Sequence, residues 1–131
     1  MRLVVHQVLR ADLPQHPTSP KVARQLVGHA LAGWGVADPE LVDCIRLLTS
    51  EVVTNAVVHA RSPAGLVASY EGGVIRIEVL DRASELPSAR AAEPWATSGR
   101  GLRLVEALAQ RWGSYAVSGG AKVVWFELDG P

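Results

Sequence analysis

From Leu47 to Val58 the chain reads LLTSEVVTNAVV, twelve residues that carry one charge, Glu51. Asn55 follows four residues later and His59 four after that. At 3.6 residues per turn these three share one helix face, drifting by about 40° per step. Leu47 and Leu48, one turn before Glu51, are apolar, so the face is expected to project toward the interior. A carboxylate and an amide in that setting are costly unless something satisfies them. Two arrangements do so. In one, the helix lies at the surface with Glu51 at its polar edge and Asn55 hydrogen-bonded internally. In the other, a ligand or metal meets the pair. An oxygen-rich pair suits a hard ion such as Mg²⁺, which keeps waters and takes few protein ligands, and it does not suit zinc. His59 reads as a satisfied half-buried histidine before it reads as a ligand.

Two further stretches carry chemistry. Ser98-Gly99-Arg100-Gly101-Leu102 is a glycine-rich turn leading into a helical pattern. A helix N-terminus approached through such a turn offers backbone N–H groups and a positive dipole end to phosphate, and an ordinary loop-to-helix turn has the same composition. The sequence is neither a Walker A motif nor GxGxxG. Asp81 ends a run of strand residues, where it reads as a turn residue or as an acceptor for an exocyclic amine.

The elements that must position these residues follow from periodicity and punctuation. Arg2 to Leu9, rich in Val and Leu, reads as a first strand, and residues 10–20, with Pro14, Pro17 and Pro20, as a loop. Thr18 or Ser19 caps a helix with Pro20 in its first turn; Val22, Leu26, His29, Ala30 and Trp34 recur at helical spacing, and Gly33 and Gly35 end it. Asp38 caps a second helix with the stripe Leu41, Ile45, Leu48 and Val52, running to about His59 or Ala60. Leu66–Tyr70 and Val74–Leu80 are strands around Glu71-Gly72-Gly73, a hairpin signal. In the second, Val74, Arg76, Glu78 and Leu80 alternate with Ile75, Ile77 and Val79. Residues 82–98 show little periodicity, the mark of a lid or binding loop. Leu102, Val105, Leu108 and Ala109 mark a third helix. Ser114–Val117 and Lys122–Leu128 are strands around Ser118-Gly119-Gly120. The order β-α-α-β-β-lid-α-β-β predicts a two-layer α/β (α+β) sandwich, a mixed, mostly antiparallel five-stranded sheet with three helices on one face, and it argues against a Rossmann fold.

The chain has 131 residues, the size of one ordinary domain, and 1–131 is read as one. Thirteen cations balance thirteen anions, so the net charge is zero, which argues against direct nucleic-acid or anionic-membrane binding. Eleven of the thirteen cations are Arg, suited to forked contacts with carboxylate or phosphate. The single cysteine, Cys44, excludes an intrachain disulfide and reads as a buried structural thiol. No apolar run approaches the ~18 residues of a membrane span. The N-terminus lacks a secretory apolar region, so a cytoplasmic location is expected.

Taken in order, these stretches resemble the ATP-binding domain shared by histidine kinases, DNA gyrase, the Hsp90 chaperones and the MutL repair proteins, the GHKL superfamily. The likeness is strongest to its stand-alone branch of anti-sigma-factor serine kinases and related bacterial ATP-binding regulators. It covers nearly the whole chain. EVVTNAVVHA (Glu51–Ala60) is similar to that family's N box, and GRGLRLVEALAQRWG (Gly99–Gly113) to its second glycine box and helix. LDRASELP (Leu80–Pro87) stands where the first glycine box belongs, and KVVWFEL (Lys122–Leu128) is similar to the closing strand. The resemblance implies a Bergerat-type fold with ATP and Mg²⁺ as cofactors. It makes Glu51 the general base and Asn55 the metal ligand. Asp81 would hold the adenine amino group with Ala83 beside the base. Gly99, Arg100, Gly101 and Leu102 would meet the phosphates, and residues 82–98 would form the lid.

Two departures stand out. The usual Asp-x-Gly-x-Gly reads Asp81-Arg82-Ala83-Ser84-Glu85, which puts a methyl and a negative charge where glycines belong. Asp81-x-x-Ser84-x-x-Pro87 is similar to a variant in the regulator branch. The closing strand often has Thr after its Lys; here it is Val123, which implies one polar contact fewer. The resemblance implies an Mg-ATP-dependent serine/threonine protein kinase acting on a small antagonist protein and binding a sigma factor. A homodimer fits it. The alternative is a non-catalytic ATP-binding module in which only the protein–protein switch matters. A detached histidine-kinase domain ranks lower, since no helix pair with a phosphoacceptor His precedes residue 20.

Overall fold

The structure is a computed structural model that describes residues 7–82 and 100–131, without the side chains of residues 100 and 101. Five strands form one sheet in the order β1-β2-β3-β5-β4: β1 (Gln7–Leu13), β2 (Ala64–Glu71), β3 (Val74–Arg82), β4 (Arg111–Val117) and β5 (Ala121–Asp129). All four pairings are antiparallel, so the expected antiparallel character holds throughout. The described helices are α1 (Ser19–Gly33), α2 (Pro39–Thr54) and α3 (Arg100–Leu108), and α2 runs on into a π-helical segment, Asn55–His59.

Side-chain alternation gives the sheet two unlike faces. One face carries the rows Leu9–Ala68–Ile77–Phe126–Trp112 and Ala11–Leu66–Val79–Val124–Ser114. Ala68, Ile77, Phe126, Leu66, Val79 and Val124 are buried there with Val27, Leu31, Ile45, Leu48, Val52 and Val105 of the helices. On the other face Arg76 pairs with Glu78 at 2.8 Å and with Glu127 at 2.9 Å. Arg111 pairs with Glu127 at 2.7 Å and also with Asp129. The Arg76 guanidinium lies 4.3 Å over the Trp125 ring.

Local chemistry explains the boundaries. Gly72 and Gly73 take φ of 59° and 78°, the left-handed pair of a two-residue hairpin turn, as the sequence predicted. Asp38 caps α2, accepting from the Glu40 N–H at 3.2 Å, with Pro39 in the first turn. Thr18 stands at the N-cap of α1 without a side-chain capping bond; Ser19 instead donates its hydroxyl to the Pro14 carbonyl at 2.6 Å. The buried stripe of α1 is Ala23, Val27 and Leu31, one position beyond the expected one, and Val22 and His29 are exposed. β1 extends to Leu13 rather than ending at Leu9, and β4 begins at Arg111 rather than Ser114. Cys44 is half-buried, and burial pushes its thiol up, away from the reactive thiolate. Beyond β5 the chain folds back on the β2–β3 hairpin: the Gly130 N–H donates to the Gly73 carbonyl and the Tyr70 hydroxyl to the Pro131 carbonyl, both at 2.7 Å. No helix among the described residues is long and apolar enough to cross a membrane.

Candidate functional site

Asp81 is the most unusual residue of the sheet. It continues the phase of Ile75, Ile77 and Val79, so strand alternation drives its side chain to the helix-covered face, and only 1% of it is exposed. β3 runs one residue past it, so Asp81 lies within the strand and not in a turn. Its row is Leu13–Ala64–Asp81–Lys122–Ala116, the last on this face at that end of the sheet. The Lys122 ammonium stands 3.4 Å from Oδ2, and Oδ1 is buried with no hydrogen-bond partner among the described residues. Desolvation raises the Asp81 carboxyl above the ordinary range, and Lys122 opposes that rise. A buried oxygen with nothing to accept from costs about 1–3 kcal/mol. The site therefore holds an acceptor that a ligand donor can satisfy.

The N-terminal polar pair is brought to the same end by chain connectivity. The π segment leads through Ser62 and Pro63 into Ala64, which pairs with Asp81. Ser62, fully buried, accepts from the Arg82 N–H at 2.8 Å, and its own N–H donates to the Ala56 carbonyl. Asn55 is 4% exposed and stands where the helix widens: its N–H donates to the Glu51 carbonyl, but its carbonyl accepts from Ala60, five residues on. π-helical turns often occur at functional sites. Glu51 is half-buried and His59 exposed, so the three expected on one inward face fan from interior to surface. The reason lies one turn earlier. Leu48 is fully buried but Leu47 is 42% exposed, so the Leu47 side of the helix, which Glu51 continues, borders solvent.

Arg100 and Gly101 open α3, where the first-turn N–H groups lack intrahelical partners. Leu102 turns its side chain into the core, so its backbone alone is available to a ligand. The C-terminal end of α3 leads to the far end of the sheet, where the Gln110 N–H donates to the Glu127 carbonyl. Ala83 and Gly99, and the lid apart from Arg82, lie outside the described residues. Val123 pairs with Leu80, on the sheet face opposite to the Asp81 side chain. The substitution expected to remove a polar contact there is thus not the one that meets Asp81. Lys122 does, and the sequence reading assigned it no role, although it keeps phase with Val124 and Phe126. Among the described residues no three His, Cys, Asp or Glu side chains converge as a metal cluster.

The family described as the histidine kinase-like ATPase domain matches residues 13–128. The chain belongs to that family. Among solved structures, the RsbU and RsbW domains of Rv1364c from Mycobacterium tuberculosis superpose on this histidine kinase-like domain with a TM-score of 0.72 at 22% identity. The match covers 94% of this chain and 32% of that one, so the chain spans about a third of that protein's length, and the likeness is one of fold. No curated protein matches.

Proposed function

We propose that this histidine kinase-like domain binds ATP with Mg²⁺ and transfers its terminal phosphoryl group to a Ser or Thr hydroxyl of a small antagonist protein, within an anti-sigma-type switch. The observation that carries the nucleotide reading is the orphaned Oδ1 of Asp81, a buried acceptor suited to the exocyclic amine of adenine. The residues fit the rest. Asn55 offers a buried amide oxygen for the metal, and a hard ion that keeps most of its waters needs little more from the protein. The N-terminus of α3 suits phosphate. Bound Mg-ATP supplies the transferable group and the metal charge. Phosphoryl transfer asks the protein mainly to position and to stabilise charge. Glu51 would take the proton of an incoming protein hydroxyl, a role supported by its half-buried position one turn after exposed Leu47.

The likeness in fold to the RsbU and RsbW domains of Rv1364c supports regulators of an anti-sigma type as the class of partner. The second reading, an ATP-binding switch without transfer, is favoured by Ala83 and Glu85 in place of glycines. Two variants separate them. Glu51→Gln is expected to keep Mg-ATP binding and lose about 10²–10⁴ in transfer rate, the range for a positioned base. Asn55→Ala is expected to lose the Mg²⁺-dependent part of nucleotide affinity. Labelled ATP and a bound antagonist provide the assay. No transfer by the wild type to an antagonist it binds establishes the switch reading instead.

A further inference from the structure

Only two of the thirteen cations in the chain are lysines, and one of them, Lys122, stands directly across the strand pair from Asp81. It is the sole cation within ion-pair distance of that carboxylate among the described residues. We propose that Lys122 is a positioning residue of the base site: its ammonium engages Oδ2 from the neighbouring strand and keeps Asp81 a charged acceptor with Oδ1 directed at the ligand amine. This rests on the nucleotide reading above.

The geometry sets the division of labour. One carboxylate oxygen is engaged at 3.4 Å and the other is buried with no partner among the described residues, so the carboxylate has one oxygen left to offer. Without a cation alongside, a carboxyl this deeply buried more readily takes up a proton, which turns one oxygen into a donor and leaves the other a neutral, weaker acceptor for an amine. Among the described residues the elements packed around it supply no substitute. In its own row Leu13, Ala64 and Ala116 carry no charge. α2 brings Glu51, an anion, and the π segment brings His59, which is exposed. Arg82 and Leu80 fall on the opposite sheet face. Lys122 is the charged group that acts on the Asp81 carboxyl. Its side chain is one-quarter exposed, so it retains hydration while making the contact.

The test uses the full chain as wild type, Lys122→Met and Lys122→Arg. The Asp81 carboxyl is titrated by carbon NMR without nucleotide, and ATP affinity is measured by calorimetry at pH 6 and pH 8. The Asp81 midpoint is expected to rise by about 1 unit or more in Lys122→Met, the size of an opposite charge removed, and to return in Lys122→Arg. ATP affinity of the Met variant is expected to fall relative to wild type more at pH 6 than at pH 8, with the Arg variant restoring it. An unchanged midpoint in a folded Met variant overturns the proposal. A midpoint that shifts as expected in a chain that binds no ATP at either pH overturns the nucleotide reading, and with it the ligand half of the role.

Discussion

Replacing Asp81 by Asn changes one atom and separates what the residue does for a ligand from what it does to the fold. The carboxylate oxygen Oδ1 is buried and has no partner among the described residues, so a donor that reaches it makes a hydrogen bond to a charged group, about 1.5–3 kcal/mol. That corresponds to a loss of about 10- to 150-fold in ATP affinity for Asp81→Asn. The amide also places an N–H₂ where an acceptor is needed. Stability moves the other way. The folded carboxyl is raised by desolvation, so its contribution is present below the unfolded value of about 3.9 and is lost as pH rises through the folded value. Above that folded value the nucleotide-free protein holds an incompletely satisfied charge. Asn removes it, and Lys122, one-quarter exposed, keeps a route to water. A net gain on the order of 1 kcal/mol follows, about 4 °C in Tm for a chain of this length. The variant is therefore expected to melt higher than wild type at pH 7 to 8, with that advantage gone at pH 3, and to bind ATP poorly. Calorimetry and thermal melts across pH measure both. Equal ATP affinity refutes the base assignment, and a Tm several degrees lower at pH 7 refutes the sign of the charge argument.

Other outcomes follow from the opposite face of the sheet. Hydrogen bonding by Arg111, reinforced by Arg76, holds the Glu127 carboxyl below the usual range. Its contribution is thus full above about pH 4.3 and lost as pH falls through the folded value. Glu127→Gln is expected to lower Tm at pH 7, with the gap closing as pH falls through the folded value; a gap independent of pH contradicts this. A Cβ on Gly113 comes within 3.1 Å of the Trp125 ring, which carries Arg76 on its face. Gly113→Ala is expected to cost about 1–3 kcal/mol through overpacking, read as a lower urea midpoint, and an unchanged midpoint shows that the ring yields freely.

The fold was legible where composition and period agree. The left-handed glycines between β2 and β3 and the Asp38 cap were readable because each needs one residue type at one place. The stripe of α1 was not, because Val22, Ala23, Leu26, Val27 and Ala30 offer two adjacent apolar faces of similar weight and packing against α2 chooses between them. Pro14 and Pro17 drew the end of β1 too early, although Leu9, Ala11 and Leu13 keep strand alternation. At the site, Asp81 was recognisable as a residue but not as a buried one. The signal was present, since it falls in phase with Ile75, Ile77 and Val79. Lys122 carried the same signal on β5. Nothing in the helical period showed that Asn55 begins a π turn, because a one-residue shift in backbone bonding leaves the composition unaltered.

The return of the chain end to the β2–β3 hairpin bears on how this protein can be handled. Pro131 is held by Tyr70, at the end of the sheet opposite to Asp81, and the six residue steps from Ile75 to Asp81 span about 20 Å. A linker, fluorophore or surface anchor attached after Pro131 therefore emerges a full strand length from the Asp81 end of the sheet. Immobilisation through a group placed at Pro131 leaves the Asp81–Lys122 row facing away from the support, which makes it the attachment point of choice for titrating nucleotides and partner proteins on one sample.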